Sequence, residues 1–143
     1  MILESIWKKT IMNLVDSNIW LRFLEKNDDV VKLVDWVRKG STKYYVPVIV
    51  LTEIEWVLRN FYKREKEQIT SFLEAIMGMN NIVVFEDANM KLAMIYFKKY
   101  NIKLIDAIIA SVVKEGDVVV SYDRDFDKLP DIKRIEPKDL VEK

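Results

Sequence analysis

The fold is decided by residues 118–126, which read VVVSYDRDF. The first three residues are all apolar and do not alternate with polar ones, so this strand is predicted to be buried on both faces. Strands of that kind belong to parallel sheets that helices cover on either side. Asp123 and Asp125 come directly after the strand. The segment therefore predicts carboxylates at the carboxyl edge of a parallel sheet.

Short apolar runs separated by helical patterns extend this interpretation along the chain. Further strands are predicted at residues 11–15, 44–46, 82–85 and 132–135, and the one at 82–85 is expected to be buried. Helices are expected between them, including one over residues 87–100 and a very apolar one over residues 104–115. The pattern predicts an α/β fold, a three-layer α/β/α domain with a central, mostly parallel sheet of four to five strands.

Composition limits the classes of function that the chain can have. It has 143 residues, no Cys and a formal net charge of zero, so no overall field draws it onto nucleic acid. We expect an N-terminal extension at residues 1–11, then one domain at residues 12–143 that begins at Met12. No apolar run reaches the roughly 18 residues of a membrane span. The lack of signal-peptide features and of cysteine favours a cytoplasmic protein.

Four carboxylates stand beside apolar segments at separate points of the chain: Asp16, Glu53, Asp106 and Asp123. A charge in such a place is costly unless something compensates it, and one shared divalent cation would compensate all four. The chain contains neither His nor Cys, so a metal site must be built from oxygen ligands. Oxygen ligands favour Mg²⁺ or Mn²⁺ over zinc.

Each acid also has an explanation that needs no metal. Asp16 can cap a helix, and Asp106 can gain from the dipole of the helix whose first turn it occupies. The neighbours of Asp106 along that helix are nearly all apolar, which favours a functional carboxylate there. Helical spacing places Glu53 and Glu55 on opposite flanks of one apolar stripe and does not choose between them.

The loop after residues 118–121 leaves a similar choice. Asp123, Asp125 and Asp127 are typical of a turn, because Asp side chains readily accept hydrogen bonds from nearby backbone. Three acids on one short loop also repel one another, which a cation would offset. Spacing does not decide whether Asp123 or Asp125 would contact the ion directly.

Four motifs together resemble the PIN domain, the metal-dependent nuclease fold found in toxin ribonucleases of VapBC-type toxin–antitoxin pairs. They read LVDSNIW at residues 14–20, VLTEI at 50–54, LIDAIIA at 104–110 and VVSYDRDF at 119–126. The resemblance spans about residues 12–135. The resemblance implies that Glu53, and not Glu55, is the glutamate of the second motif. It also implies that Asp123, and not Asp125, is the fourth acid. Ser17 and Ser121 stand where the family more often has Thr, which keeps the hydroxyl group.

The resemblance implies a Mg²⁺- or Mn²⁺-dependent endoribonuclease that hydrolyses RNA phosphodiester bonds. Asp16, Glu53, Asp106 and Asp123 would be the catalytic acids and metal ligands, with Asp125 as a further ligand. Asn18 and Ser121 would hold a carboxylate or a coordinated water. Because the net charge is zero, RNA must be bound by local groups of basic residues. The expected contacts are with Lys98, Lys99, Lys103 and Arg124, with Tyr44, Tyr96 or Tyr100 as stacking surfaces.

The resemblance also implies a homodimer and a small antitoxin as a possible partner. An RNA-processing enzyme and a PIN-like module that binds RNA or protein without cutting are alternatives. A flavodoxin-like phosphotransfer domain would also gather acids at strand ends. The segment around Asp16 lacks the adjacent acids of a receiver domain and the Asp-x-Asp nucleophile of the phosphatases.

Overall fold

The central sheet has five strands that all run parallel. The computed structural model describes residues 11–141. The strands are β1 (Asn13–Val15), β2 (Tyr44–Pro47), β3 (Ile82–Phe85), β4 (Val118–Val120) and β5 (Lys133–Ile135). Their order in the sheet is β3-β2-β1-β4-β5. The prediction of a mostly parallel sheet of four to five strands is confirmed.

Helices connect the strands and complete a three-layer α/β/α arrangement. The first half of the chain contributes α1 (Ser17–Leu24), α2 (Asp28–Lys39), α3 (Val48–Asn60) and α4 (Lys66–Met77). The second half contributes α5 (Met90–Lys99), α6 (Leu104–Ser111) and α7 (Pro137–Val141). A 3₁₀ helix, Arg124–Lys128, links β4 to β5. Within residues 11–141, no helix has the length and apolar character needed to cross a membrane.

Local sequence explains where several helices begin. The Asn27 side chain accepts a hydrogen bond from the Val30 N–H and caps α2, and the Asn89 side chain does the same for α5 at Leu92. Glu65 and Gln68 form a capping box at the start of α4. Because Asn89 is the cap, α5 begins at Met90 and not near residue 87 as predicted.

Three details of the structure differ from the sequence predictions. The predicted helix over residues 104–115 ends at Ser111, because the Asp117 carboxylate accepts a hydrogen bond from Lys114 N and closes a turn there. Strand β3 is only partly buried, since it lies at the edge of the sheet. Helix α7 was not predicted. The expected N-terminal extension falls on residues 1–10, which lie outside the described part, and on Ile11, which is exposed.

The topology determines where a site can form. The chain adds β2 and β3 on one side of β1, then crosses to the other side of β1 to add β4 and β5. Strand order therefore reverses between β1 and β4, and a crevice opens at the carboxyl ends of these two strands. Val119 and Val120 of β4 are fully buried, as the apolar run predicted, whereas Val118 is only partly buried. Asp16 follows β1 directly, and Ser121 follows β4 directly.

Candidate active site

Asp16 is a buried carboxylate at the carboxyl end of β1. It is 3% exposed, and its Oδ1 accepts a hydrogen bond of 2.7 Å from the backbone N–H of Ser17. Its Oδ2 accepts another of 2.7 Å from the Ser121 hydroxyl. Burial, together with repulsion from Glu53 and Asp123, raises the pKa of Asp16, although these hydrogen bonds counteract the rise. Asp16 caps α1, as the sequence allowed, and also faces other acids.

Ser121 and Asn18 join the loop after β1 to the loop after β4. The Ser121 hydroxyl accepts hydrogen bonds of 3.0 Å from Asn18 Nδ2 and from the backbone N–H of Asp123. Asn18 Nδ2 also lies 3.2 Å from Asp16 Oδ2, and Asn18 Oδ1 accepts a bond of 3.0 Å from Tyr122 N. These polar side chains are satisfied by one another, so the network fixes the position of the Asp16 carboxylate.

Helix α3 turns Glu53 toward this network and Glu55 away from it. The Ser17 hydroxyl donates a hydrogen bond to Glu53 Oε1, which connects α3 to the start of α1. Glu55 instead forms an ion pair of 2.6 Å with Arg59 on the exposed side of the helix. Tertiary packing thus separates two acids that helical spacing could not.

Asp106 is a buried acid of the site with one oxygen that no hydrogen bond from residues 11–141 reaches. It lies in the first turn of α6, is 2% exposed, and its Oδ2 is buried with no hydrogen-bond partner in the described chain. Burial first, and then repulsion from Asp123 and Asp16, raise the pKa of Asp106 to about 8. A buried carboxylate that lacks a partner and faces other acids is typical of a cation site.

Asp106, Asp123 and Asp125 form a close group of acids. One carboxylate oxygen from each lies within 4.8 Å of the other two. Asp123 Oδ1 accepts a hydrogen bond of 2.9 Å from Asp125 N, so the 3₁₀ turn brings both acids to the same side. The structure therefore places both Asp123 and Asp125 beside Asp106. Repulsion also couples Asp16 to Asp106 and to Asp123, so the acid at β1 borders this group.

Two lysines face the acidic group. Lys103 Nζ lies 3.4 Å from Asp123 Oδ2, and Lys128 Nζ lies 2.9 Å from Asp125 Oδ1. Partial burial lowers the pKa of Lys103, but the attraction of Asp106, Asp123 and Glu53 outweighs this effect and raises it. The acid cluster therefore already attracts cationic groups of the chain itself.

The residues expected to grip RNA are distributed unevenly. Lys98 and Lys99 are exposed in the last turn of α5, and Arg124 is exposed at the start of the 3₁₀ helix. Only Lys103 of this set contacts the acids. Tyr44 is 3% exposed in β2, so its prediction as a stacking surface is wrong. Tyr96 and Tyr100 are half-buried, with ring centroids 6.3 Å apart.

Three side chains make contacts in the site that the sequence did not predict. Ser17 joins Asp16 to Glu53, and Lys128 pairs with Asp125 three residues earlier, a spacing that could have been noticed. Arg134 of β5 donates to the Ser121 carbonyl at 3.0 Å and to both carboxylate oxygens of Asp127. No local pattern points to Arg134, because its partners depend on the pairing of β4 with β5.

Comparison with solved structures shows the same fold in other proteins. VapBC2 from Rickettsia felis, crystallised with a DNA fragment from its promoter, has a TM-score of 0.67 and 19% identity, covering 88% of this chain and 98% of that chain. PAE2754 from Pyrobaculum aerophilum has a TM-score of 0.66 and 18% identity, covering 92% and 93%. A toxin–antitoxin complex from Klebsiella pneumoniae has a TM-score of 0.59 and 16% identity, covering 87% and 97%.

Sequence comparison identifies the family. No curated protein matches the sequence significantly. The family model described as the PIN domain matches residues 14–132, which is most of the chain and includes all four motifs. The chain therefore belongs to the PIN domain family.

Proposed function

We propose that this protein is a divalent-metal-dependent endoribonuclease and the toxin of a VapBC-type toxin–antitoxin pair. The observation that carries the nuclease proposal is the buried Asp106, whose Oδ2 lacks a partner and which lies beside Asp123 and Asp125. PIN domains are generally nucleases, and the fold is shared with a toxin–antitoxin complex. These two similarities support the toxin assignment.

The side chains present fit a Mg²⁺ or Mn²⁺ ion. Asp106, Asp123 and Asp125 would hold it, because carboxylate oxygens are the ligands that such ions prefer. The cation would favour the ionised form of Asp106, whose Oδ2 has no hydrogen-bond partner in the described chain. When bound, the ion supplies Lewis acidity that lowers the pKa of a water and neutralises charge on a phosphate.

The remaining side chains would orient the acids and accept a proton. Asn18 and Ser121 hold the Asp16 carboxylate at the edge of the acidic group, and the Ser17 hydroxyl holds Glu53 beside it. The chain contains no His, so a carboxylate of the cluster would accept the proton of an attacking water. We propose Asp16, Glu53, Asp106 and Asp123 as the catalytic acids, with Asp125 as a further metal ligand.

RNA would be held by local charge and not by the overall field, because the net charge is zero. Lys103 lies at the cluster, and Arg124 begins the 3₁₀ helix that carries Asp125. Lys98 and Lys99 are further proposed contacts. We also propose a homodimer and a small antitoxin partner. Exposed aromatic surface at Trp56 and Phe61, whose ring centroids are 5.7 Å apart, supports a protein partner.

An RNA cleavage assay tests the nuclease proposal. The wild-type protein should cut single-stranded RNA with Mg²⁺ or Mn²⁺ and should stop when the metal is chelated. Asp16→Asn and Asp106→Asn should each lower kcat/KM by at least about 100-fold, since they remove charge that the ion needs. Asp35→Asn is the matched control, because Asp35 is an exposed acid paired with Lys39 on α2. Cleavage that survives both site substitutions would contradict the proposed mechanism.

The toxin assignment has a separate test. Induced expression of the wild-type chain should arrest growth, whereas Asp106→Asn should not. A small reading frame directly upstream, when co-expressed, should restore growth. Cleavage in vitro without any growth arrest would favour an RNA-processing enzyme instead.

A further inference from the structure

Lys103 lies where two kinds of cation would compete. It precedes α6 and stands three residues before Asp106 in the chain. Its Nζ is 3.4 Å from Asp123 Oδ2, and the Asp106 and Glu53 carboxylates also act on its charge. The same carboxylates are the proposed metal ligands and catalytic acids. A divalent ion entering this cluster would repel the ammonium at short range.

The Lys103 side chain can also move away from the acidic cluster. Its ion pair with Asp123 is long, and the side chain is 60% exposed. Lys128 differs, because its Nζ both pairs with Asp125 at 2.9 Å and donates to the Asn101 carbonyl at 2.7 Å. Lys128 is therefore fixed by two contacts, whereas Lys103 has one weak contact and a four-carbon stem that can swing toward solvent.

An RNA phosphate would be the next partner for the displaced ammonium. A phosphodiester approaching the acidic cluster meets carboxylates that repel it, and an ammonium group near the metal ion would help to offset that repulsion. Lys103 is the one proposed RNA-binding residue that contacts the cluster within residues 11–141. Its ammonium would therefore lie beside a phosphate placed for hydrolysis.

We propose that Lys103 is a phosphate-positioning residue that exchanges partners, pairing with Asp123 when the site lacks metal and with the RNA phosphate once a divalent ion has displaced it. The inference rests on the proposed nuclease function. The proposed exchange predicts that loss of the Lys103 charge changes metal affinity and RNA affinity in opposite directions. Removing the Lys103 charge should strengthen metal binding and weaken RNA binding, whereas a merely structural residue would weaken both.

Metal binding is tested first, by calorimetric titration of the metal-free full-length protein with Mn²⁺ alone. Lys103→Met should bind Mn²⁺ at least about threefold more tightly than wild type, because a competing cation is gone. Lys103→Arg keeps the charge and should stay near wild type. Lys39→Met is the matched control, since Lys39 is an exposed lysine that pairs with Asp35 at 3.0 Å on α2.

RNA binding is tested by cleavage kinetics at saturating Mn²⁺. Lys103→Met should raise KM at least about threefold with kcat within about twofold, because the lost contact is made before and during reaction alike. The slope of log(kcat/KM) against log salt should become shallower by about 0.7, the value for one phosphate contact on a single strand. Lys39→Met should change neither quantity.

The outcomes separate this inference from the function on which it rests. Unchanged or weaker Mn²⁺ binding by Lys103→Met, or an unchanged KM, overturns the exchange while leaving a working nuclease. A wild-type protein that binds no Mn²⁺ or cuts no RNA overturns the nuclease proposal as well. Thermal melts of each variant in chelator identify any variant that fails to fold, and Lys103→Arg then provides the decisive comparison.

Discussion

Asp106 shows how a single residue can reveal a site. Its carboxylate is buried on a helix with Ala107, Ile109 and Ala110 as buried neighbours, and its Oδ2 finds no partner in the described chain. A charge in such surroundings destabilises the folded state unless a ligand compensates it. Asp106 therefore retains a proton in the folded metal-free protein up to a pKa of about 8 but loses it on unfolding, which lowers the free energy of unfolding at neutral pH.

Asp106→Asn is expected to stabilise the metal-free protein at pH 7 while it lowers the rate of cleavage. The amide carries no charge and its nitrogen can donate to Asp123, so the free energy of unfolding should rise by about 1–3 kcal/mol. Urea denaturation in chelator measures this change. Asp35→Asn should alter stability by less than about 0.5 kcal/mol, because its ion pair is exposed. A less stable Asp106→Asn variant would contradict the interpretation of Asp106 as uncompensated.

The sequence predicted which acids belong to the site but not which side chains form hydrogen bonds or ion pairs with them. Asp16 and Asp106 could be selected because each stands beside apolar residues, which is a local property of the chain. The hydrogen bond from Ser17 to Glu53 joins residues 36 positions apart, so it depends on how α1 and α3 pack. The pairing of Lys103 with Asp123 likewise depends on the approach of α6 to the 3₁₀ helix.

Among the elements, α3 resolves an ambiguity that its own sequence leaves open. Ile54 and Leu58 of this helix are fully or almost fully buried, and they fix its rotation about its axis. That rotation turns Glu53 to the Ser17 hydroxyl and leaves Glu55 to pair with Arg59. The two acids thus form a natural matched pair for mutation.

Glu53→Gln should lower kcat/KM by at least about tenfold, because it removes charge beside Asp16 and alters the contact with Ser17. Glu55→Gln should stay within about twofold of wild type, since only an exposed i, i+4 pair is weakened. RNA cleavage with Mn²⁺ measures both. Equal losses in the two variants would mean that the rotation of α3 does not select the functional acid.

Where a helix ends depends partly on contacts between residues that are distant in the sequence. The very apolar run that begins at residue 104 predicted α6, and most residues of that helix are buried. The early end of α6 follows from Asp117, whose carboxylate also accepts a hydrogen bond of 2.9 Å from Met12 N beside β1. A side chain that bonds across the fold can therefore end a helix whose sequence could continue.

For the whole molecule, parallel strand order brings distant acids to one edge. The continuous apolar run of β4 predicted a parallel sheet, and parallel strands present their carboxyl ends together. The order β3-β2-β1-β4-β5 was not predictable from those runs, because each is too short to specify its neighbours. The adjacency of β1 and β4 is what joins Asp16 to Ser121.

The stability of the metal-free molecule should therefore depend on pH in an unusual direction. Asp16 and Asp106 both have a pKa raised above the ordinary value of 3.8, and that of Asp106 reaches about 8. Between these values the folded state binds more protons than the unfolded state, so the free energy of unfolding falls as pH rises. The chain has no His to oppose this trend in the same range.

Urea denaturation at pH 5.5, 7.0 and 8.5 tests this dependence. In chelator, stability should fall with rising pH by about 1.4 kcal/mol per pH unit for each carboxyl that titrates in this range, and the fall should become less steep near the pKa of Asp106. Asp106→Asn should flatten the fall, because one of the two titrating carboxyls is gone. Excess Mg²⁺ should stabilise wild type more at pH 8.5 than at pH 5.5, since the ion binds the ionised carboxylates. Stability that instead rises with pH in chelator would mean that the acidic cluster is compensated within the chain and does not require a cation.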